Sequence, residues 1–287
     1  MRTRAAVLAL GMIGAGLVAA AGPAEAATPS CWTYVIGVNG SNKVVNRILH
    51  GTQQTKQWVS ADALAMPAES IVSFGAEDVP GGTKSRYHVY YPGRRPAEVD
   101  VTKLDASPTL STKLVGLFSR ASSARHVTGG AKYFGYGVDA RGNLKRWMRL
   151  DDGTGHQYLG DARLVARNMG GIRSLSYVTS FKTSSGWRDV LYGTTRAGAL
   201  KQFQIPWRSP GRPKITVLRK TGFAAVTGLS LSACGTNPAY ASLIAIDRTH
   251  NRARWYTLRS SFNPKPSNLV NRGLVARGAD WRLHATS

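Results

Sequence analysis

Fifteen carboxylates and six histidines are the residues of this 287-residue chain suited to acid–base or metal chemistry. The histidines are His50, His88, His126, His156, His250 and His284. None falls in a His-Glu-x-x-His or His-x-x-x-His spacing, which would put two imidazoles on one helical face. No Gly-x-Ser-x-Gly elbow presents a serine nucleophile, and no glycine-rich loop is placed to cradle a phosphate. No metal, no cofactor and no catalytic residue is therefore expected. Glycoside hydrolysis needs only two convergent carboxylates, but most of the acids here read as turn residues. Asp139 and Asp247 occupy equivalent turns, Asp151 and Asp152 open a loop with Gly153 and Gly155, and Glu77-Asp78 precedes Pro80-Gly81-Gly82. Aspartate at such places bonds its own backbone. Their spacing leaves open whether a pair meets in space.

The aromatic residues offer a different chemistry. Trp207 lies in a Pro/Gly-rich loop, Gln204 to Arg212, beside Arg208 and Arg212. An exposed indole next to guanidinium suits stacking on a sugar ring or holding an anion. A tryptophan covering the edge of a sheet is the competing reading. Trp187, which follows Ser184-Ser185-Gly186, is a second candidate of the same kind.

The charge is large and unevenly placed. With 38 Lys+Arg against 15 Asp+Glu the formal charge is +23. Residues 31–100 carry 7 basic and 6 acidic side chains, residues 101–189 carry 14 and 6, and residues 190–279 carry 14 and one, Asp247. A one-signed field attracts polyanions, although surface charge also serves solubility. No nucleic-acid recognition module accompanies it, so sequence-specific nucleic-acid binding is not expected. A hydrophobic fraction of 43% excludes a disordered chain, and two cysteines are too few for a disulfide-dense scaffold or a four-thiolate zinc site.

The N-terminus predicts export. Arg2 and Arg4 precede an uncharged apolar run over 5–21, then Pro23 and the small-residue pattern Ala24-Glu25-Ala26. That order is a secretory signal over 1–26 rather than a membrane anchor, leaving 27–287 as the mature domain without a membrane span. Outside the cytoplasm a lone cysteine pair is usually a disulfide, so Cys31 and Cys234 are expected to be bonded.

What must position these residues is a set of repeats. Short alternating or apolar runs bounded by Gly, Asn, Asp, Pro and Ser fill the mature chain, which indicates all-β structure. Gly137 to Trp147, Gly193 to Phe203 and Ala245 to Trp255 align without gaps, each reading as strand, polar turn, strand. Weaker copies begin at Tyr34 and Tyr87. A second motif follows each hairpin, and Leu164 to Arg167 is identical to Leu274 to Arg277. The hairpins start near residues 37, 90, 137, 193 and 245, a period of about 50 with four strands per unit. This predicts a five-bladed β-propeller of twenty strands. The chain opens on the hairpin half of a repeat, so a C-terminal strand over Asp280 to Ala285 completes the blade begun by Trp32 to Val38 and leaves no open edge. Cys31 and Cys234 then fall in neighbouring repeats of a closed ring. A two-sheet sandwich also has many short strands but does not account for five phased repeats. Trp147, Phe203 and Trp255 occupy one repeat position and read as packing residues.

The run Ser176-Tyr177-Val178 through Asp189-Val190-Leu191-Tyr192-Gly193 to Gly198-Ala199-Leu200, with Tyr136 to Leu144, resembles the tachylectin-type five-bladed propeller lectins. The resemblance implies carbohydrate binding without catalysis, glycans as partners and a monomer. Trp207, Arg208, Arg212 and Trp187 are the binding candidates. The alternatives are a cationic binder of extracellular polyanions such as teichoic acid, acidic polysaccharide or DNA, a five-bladed glycoside-active hydrolase, and a purely structural interaction module.

Overall fold

The computed structural model describes residues 30–287, except 92, 119–123, 131–133, 152–156, 235–236, 277–278, 284 and 287. The predicted export signal over 1–26 lies outside the described residues, as do Asp152, His156, Arg277 and His284. Among the described residues the elements are twenty β-strands and one short 3₁₀ turn, Pro266–Asn268. Among the described residues no helix is long and apolar enough to cross a membrane.

The strands follow the repeats. The first sheet contains β1 (Trp32–Val38), β2 (Lys43–His50) and β3 (Gln53–Ala63), and the second β4 (Ser70–Val79), β5 (Gly82–Tyr90), β6 (Ala97–Leu104) and β7 (Leu110–Leu117). The third contains β8 (Arg125–Gly129), β9 (Phe134–Val138), β10 (Leu144–Asp151) and β11 (Gln157–Ala166). The fourth contains β12 (Ile172–Thr183), β13 (Gly186–Thr195), β14 (Leu200–Pro206) and β15 (Lys214–Arg219). The fifth contains β16 (Gly228–Cys234), β17 (Asn237–Asp247), β18 (Arg252–Arg259) and β19 (Leu269–Leu274). The C-terminal β20 (Ala285–Thr286) pairs antiparallel with β1, Gly37 opposite Thr286 and Val38 opposite Ala285. The first two sheets are joined by a single parallel bridge, Ser60 to Leu110; within each sheet all pairing is antiparallel and between sequence neighbours, apart from β20.

The first strands of successive sheets touch one another, β4 with β8, β8 with β12, and β12 with β16. The circuit is completed by β20, which touches both β16 and β4. The predicted C-terminal strand is nonetheless shorter than expected. Residues 280–283 are irregular and dock as a plug: Trp281 is fully buried, Arg47 lies 4.5 Å above its ring, and the Arg47 guanidinium donates to the Asp280 carbonyl at 2.6 Å. A carbonyl and an amide that turn toward Arg47 and the Asn251 side chain (2.6 Å to the Trp281 N–H) are not available to a sheet ladder.

Turn chemistry is what the repeats predict. The Asn39 and Asp139 side chains each accept two backbone N–H groups of their own turns, and the Thr195 and Asp247 side chains each accept one. These are the residues that Asx and Ser/Thr turns favour. Phe203 and Trp255 are buried and Trp147 is half-buried, in the packing role assigned to them. A Cβ at Gly137 would come within 3.1 Å of the Trp147 ring, and one at Gly193 within 3.4 Å of Phe203. Glycine at these two places leaves room for the aromatic ring of the next strand, and the hairpin that ends on Trp255 fits its ring with Ala245 at the same position.

Cys31 and Cys234 form the predicted disulfide, linking the start of β1 to the end of β16 across 203 residues. Both sulfurs sit in one apolar cluster with Ile244, Ile246, Trp281 and Leu283. Hydrogen bonds from Ser230 to the Tyr34 carbonyl (2.7 Å) and between Thr33 and Ser242 (2.5 Å) run along the same seam. The first and last sheets are thus held covalently and by buried polar contacts.

Candidate functional site

Two places bring together residues from different sheets. The first is the seam between the third and fourth sheets, where the sequence-predicted tryptophans lie. Gly186, at φ +111°, makes the β12–β13 turn and delivers Trp187 to the start of β13. Trp207 follows the last residue of β14, and its backbone N–H donates to the Trp187 carbonyl at 3.0 Å. The two indoles are therefore cross-strand neighbours, with centroids 5.4 Å apart and planes 21° from parallel. Trp187 is 44% exposed, while Trp207 is half-buried with its ring edge-on to Phe134 at 5.6 Å.

Trp207 is anchored by a buried carboxylate. Its indole N–H donates to Asp189 Oδ1 at 2.8 Å. Asp189 is fully buried and also accepts from the Ser180 hydroxyl (2.5 Å) and, at Oδ2, from the Tyr136 phenol of the third sheet (2.6 Å). Burial, with the Asp189 charge beside it, pushes the Tyr136 phenol well above its usual range, so it remains a donor. Arg146, itself buried, donates to the Trp207 carbonyl at 2.9 Å and lies 4.1 Å over the Phe134 ring. Trp207 is thus a fixed backing plate, and Trp187 is the exposed face. Arg208 and Arg212 project from the following turn, closed by the Arg212 N–H on the Ser209 carbonyl (3.1 Å), and both are exposed. The loop reaches back to the third sheet, where Gly211 approaches the Leu164 carbonyl. An indole face held in this way can stack on the apolar face of a pyranose.

Asp189, Tyr136 and Arg146 were not singled out by sequence reasoning. The available signal was a charge at the head of the apolar run Val190-Leu191-Tyr192 and another inside β10. Neither says what it meets.

The second place is the centre of the ring. At the end where the first strands begin, a cavity of about 540 Å³ is lined by Glu69, His126, Arg173, Arg196 and Arg248. His126 has φ +51°, a left-handed backbone in which Asn, Asp and His are the enriched non-glycine residues. Burial, together with Arg196, Arg125 and Arg173, lowers its imidazole to about 4. Burial raises the Glu69 carboxyl, opposed by Arg125, whose Nε is 4.0 Å away. Further along, a cavity of about 570 Å³ is lined from all five sheets, by Tyr34, Val72, Thr128, Ser176 and Ser230 among others, and reaches Trp58, Tyr87 and Lys103. The Lys103 and Lys56 ammonium groups lie 5.3 and 6.0 Å from the Trp58 ring centroid.

A base whose folded value lies below its unfolded one binds its proton more readily in the unfolded chain. His126 therefore costs stability as pH falls from about 6.5 toward 4, on the order of 3 kcal/mol when complete. His126→Asn suits the left-handed backbone and does not titrate there. Urea unfolding of both proteins between pH 7 and 4 should show the variant gaining on the wild type as pH drops. A constant difference would contradict the neutral imidazole.

The carboxylates divide as their environments dictate. Asp139 is 3.0 Å from Lys145, and Asp247 is 2.8 Å from His250 and 3.0 Å from Arg252. In the second sheet Arg86 bridges Glu98 at 3.0 Å and Asp100 at 2.8 Å. Among the described residues, Glu69 is the carboxylate that lines the ring mouth, and none lines the cavity beyond it. No group of three or more His, Cys, Asp or Glu is placed to hold a metal ion among the described residues.

No family model matches the chain, and no curated protein is similar to it. Its structure is similar to solved β-propellers. AofleA from Arthrobotrys oligospora superposes with a TM-score of 0.50 at 10% identity, over 86% of this chain and 73% of that one. A fungal lectin of Aleuria aurantia, described as a six-bladed β-propeller with its own mode of fucose recognition, gives 0.45 at 12% identity over 88% and 79%. The SapL1 lectin, solved with α-methyl fucoside, gives 0.43 at 16% identity over 86% and 77%. At such identity the likeness concerns fold alone, and the fold is a β-propeller: all-β, built of four-stranded antiparallel sheets around a centre.

Proposed function

We propose that the chain is an exported, five-bladed carbohydrate-binding propeller, organised like the tachylectin-type lectins. Support for five blades comes from the five four-stranded units and the circuit of β4, β8, β12, β16 and β20. Support for export comes from the N-terminal residue pattern and from the bonded state of Cys31 and Cys234. The observation that carries carbohydrate binding is the Trp187–Trp207 pair, one indole exposed and the other locked beneath it by Asp189. An exposed indole stacked on one that is held in place is pre-organised to stack on a sugar ring. Among the described residues one carboxylate lines the ring mouth, and this favours binding over glycoside hydrolysis, which needs two.

Tryptophan fluorescence titrated with neutral glycans from an array tests the reading. A hit should bind with little change between 50 and 300 mM salt, and Trp187→Ala should weaken it about fivefold or more. Stacking on an exposed aromatic is worth about 1 kcal/mol or more, while Trp187 lies far enough from the core to be replaced safely. Binding confined to acidic glycans and collapsing with salt would instead identify a polyanion binder. That second reading is favoured by one fact: between residues 190 and 279 the sole acid, Asp247, is already taken by His250 and Arg252.

A further inference from the structure

The mouth of the ring is built from one repeat position and the strand starts beside it. Arg196 and Arg248 occupy the same place in the turns after β13 and β17, where the first and third sheets carry Gly40 and Ala140. Arg173 lies at the second residue of β12 and His126 at the second residue of β8. All four line one cavity of about 540 Å³ together with Ser70, Ser174 and Thr227. The Arg173 guanidinium is oriented by donation to the Ala224 carbonyl across the seam with the fifth sheet. The Arg248 backbone N–H is held by the Thr227 hydroxyl at 3.3 Å.

Three guanidinium groups thus converge from two neighbouring sheets on one concave site. One carboxylate, Glu69, shares this lining, and Arg125, the neighbour of His126, lies 4.0 Å from it. Arg248 also borders a shallower depression with Asp280 and Arg282, whose side chains pair at 2.8 Å. Like charges gathered in a partly enclosed cavity repel more strongly than on an open surface, because solvent screens them less. The arrangement is relieved by a ligand bearing the opposite charge. Guanidinium forks match the paired oxygens of sulfate, phosphate and carboxylate. The neutral imidazole of His126 adds a donor without adding to the repulsion.

We propose that the ring mouth formed by Arg173, Arg196, Arg248 and His126 is a binding site for an oxyanion, as a free ion or as the charged group of a small ligand. It is separate from the Trp187 face and does not depend on it.

Isothermal titration of the whole mature protein with inorganic sulfate, inorganic phosphate and glucuronate tests this directly. At least one should bind saturably at one site per chain in 50 mM salt. Arg196→Gln/Arg248→Gln, on two solvent-facing turns, should weaken that binding at least tenfold. Lys182→Gln/Arg259→Gln removes the same charge from the opposite strand ends and should change it less than twofold. The ion preferred separates an ester-type tetrahedral group from a carboxylate. Equal loss in both double variants would mean a diffuse field rather than a site, and absence of saturable binding by all three ions at 20 mM would overturn the proposal. Circular dichroism and melting of each variant confirm that the fold is retained, and Arg173→Gln provides an independent variant if either turn fails to form.

Discussion

Asp189→Ala is expected to destabilise the protein by roughly 3–5 kcal/mol, because it takes the acceptor from three donors at once. Tyr136, Ser180 and Trp207 each direct a polar hydrogen at this carboxylate, and of the three Ser180 has the Tyr177 hydroxyl, 2.9 Å away, to turn to when it is removed. For a domain of this size that is a fall in melting temperature on the order of 10 °C. Asp189→Asn should cost less. Its carbonyl can still receive the Trp207 and Ser180 donors, while its amide meets the Tyr136 hydroxyl, which can turn to accept. The ordering Ala below Asn below wild type, read by thermal unfolding, distinguishes a hydrogen-bond hub from simple loss of volume, which would affect the isosteric Asn variant little. Asp189→Ala should also weaken any ligand of Trp187, because Trp207 loses the bond that fixes it. Trp187→Ala should do the reverse, with affinity lost and stability within about 0.5 kcal/mol of wild type. If both variants lowered stability equally, Trp187 would be a structural cover and not a binding face.

Removing the disulfide is the second large effect. Cys31→Ala/Cys234→Ala frees the ends of a loop spanning 203 residues, for which the chain-entropy model gives about 4–5 kcal/mol. The urea midpoint should fall accordingly. The loss should be local before it is global: amides of β1 and β16 should exchange faster than those of β13 and β14, since the bond joins the first sheet to the last. Both cysteines are almost fully buried, at 1% and 3% exposure, so a mild reductant should act only after the seam opens. A midpoint unchanged within about 1 kcal/mol would show that the core around Trp281 and the Thr33–Ser242 contact hold the ring closed by themselves.

Much of the plan is written locally in the chain. The repeats place all five hairpins, because a strand-turn-strand unit is decided by alternation and by Asn39, Asp139, Thr195 and Asp247 bonding their own turns. The shared position of Trp147, Phe203 and Trp255 marks them as packing residues, and the phase of the repeats brings Cys31 and Cys234 together. The C-terminal strand was less readable. Residues 280–283 have strand-like alternation, but Arg47 and Asn251, distant in sequence, take their backbone groups.

The sites depended on the ring. Trp207 stands out in sequence as an aromatic in a Pro/Gly loop, yet whether it is the exposed plate or the anchor is decided by Asp189 and Tyr136, which belong to two different sheets. Likewise Arg173, Arg196, Arg248 and His126 are unremarkable along the chain and meet only at the mouth. Sequence by itself determined what is encoded within one repeat: strand period, turn chemistry, aromatic packing and the excess of positive charge after residue 190. Tertiary structure alone decided which faces of different repeats converge, because those distances are set by how the sheets close around the centre and not by spacing within any one of them.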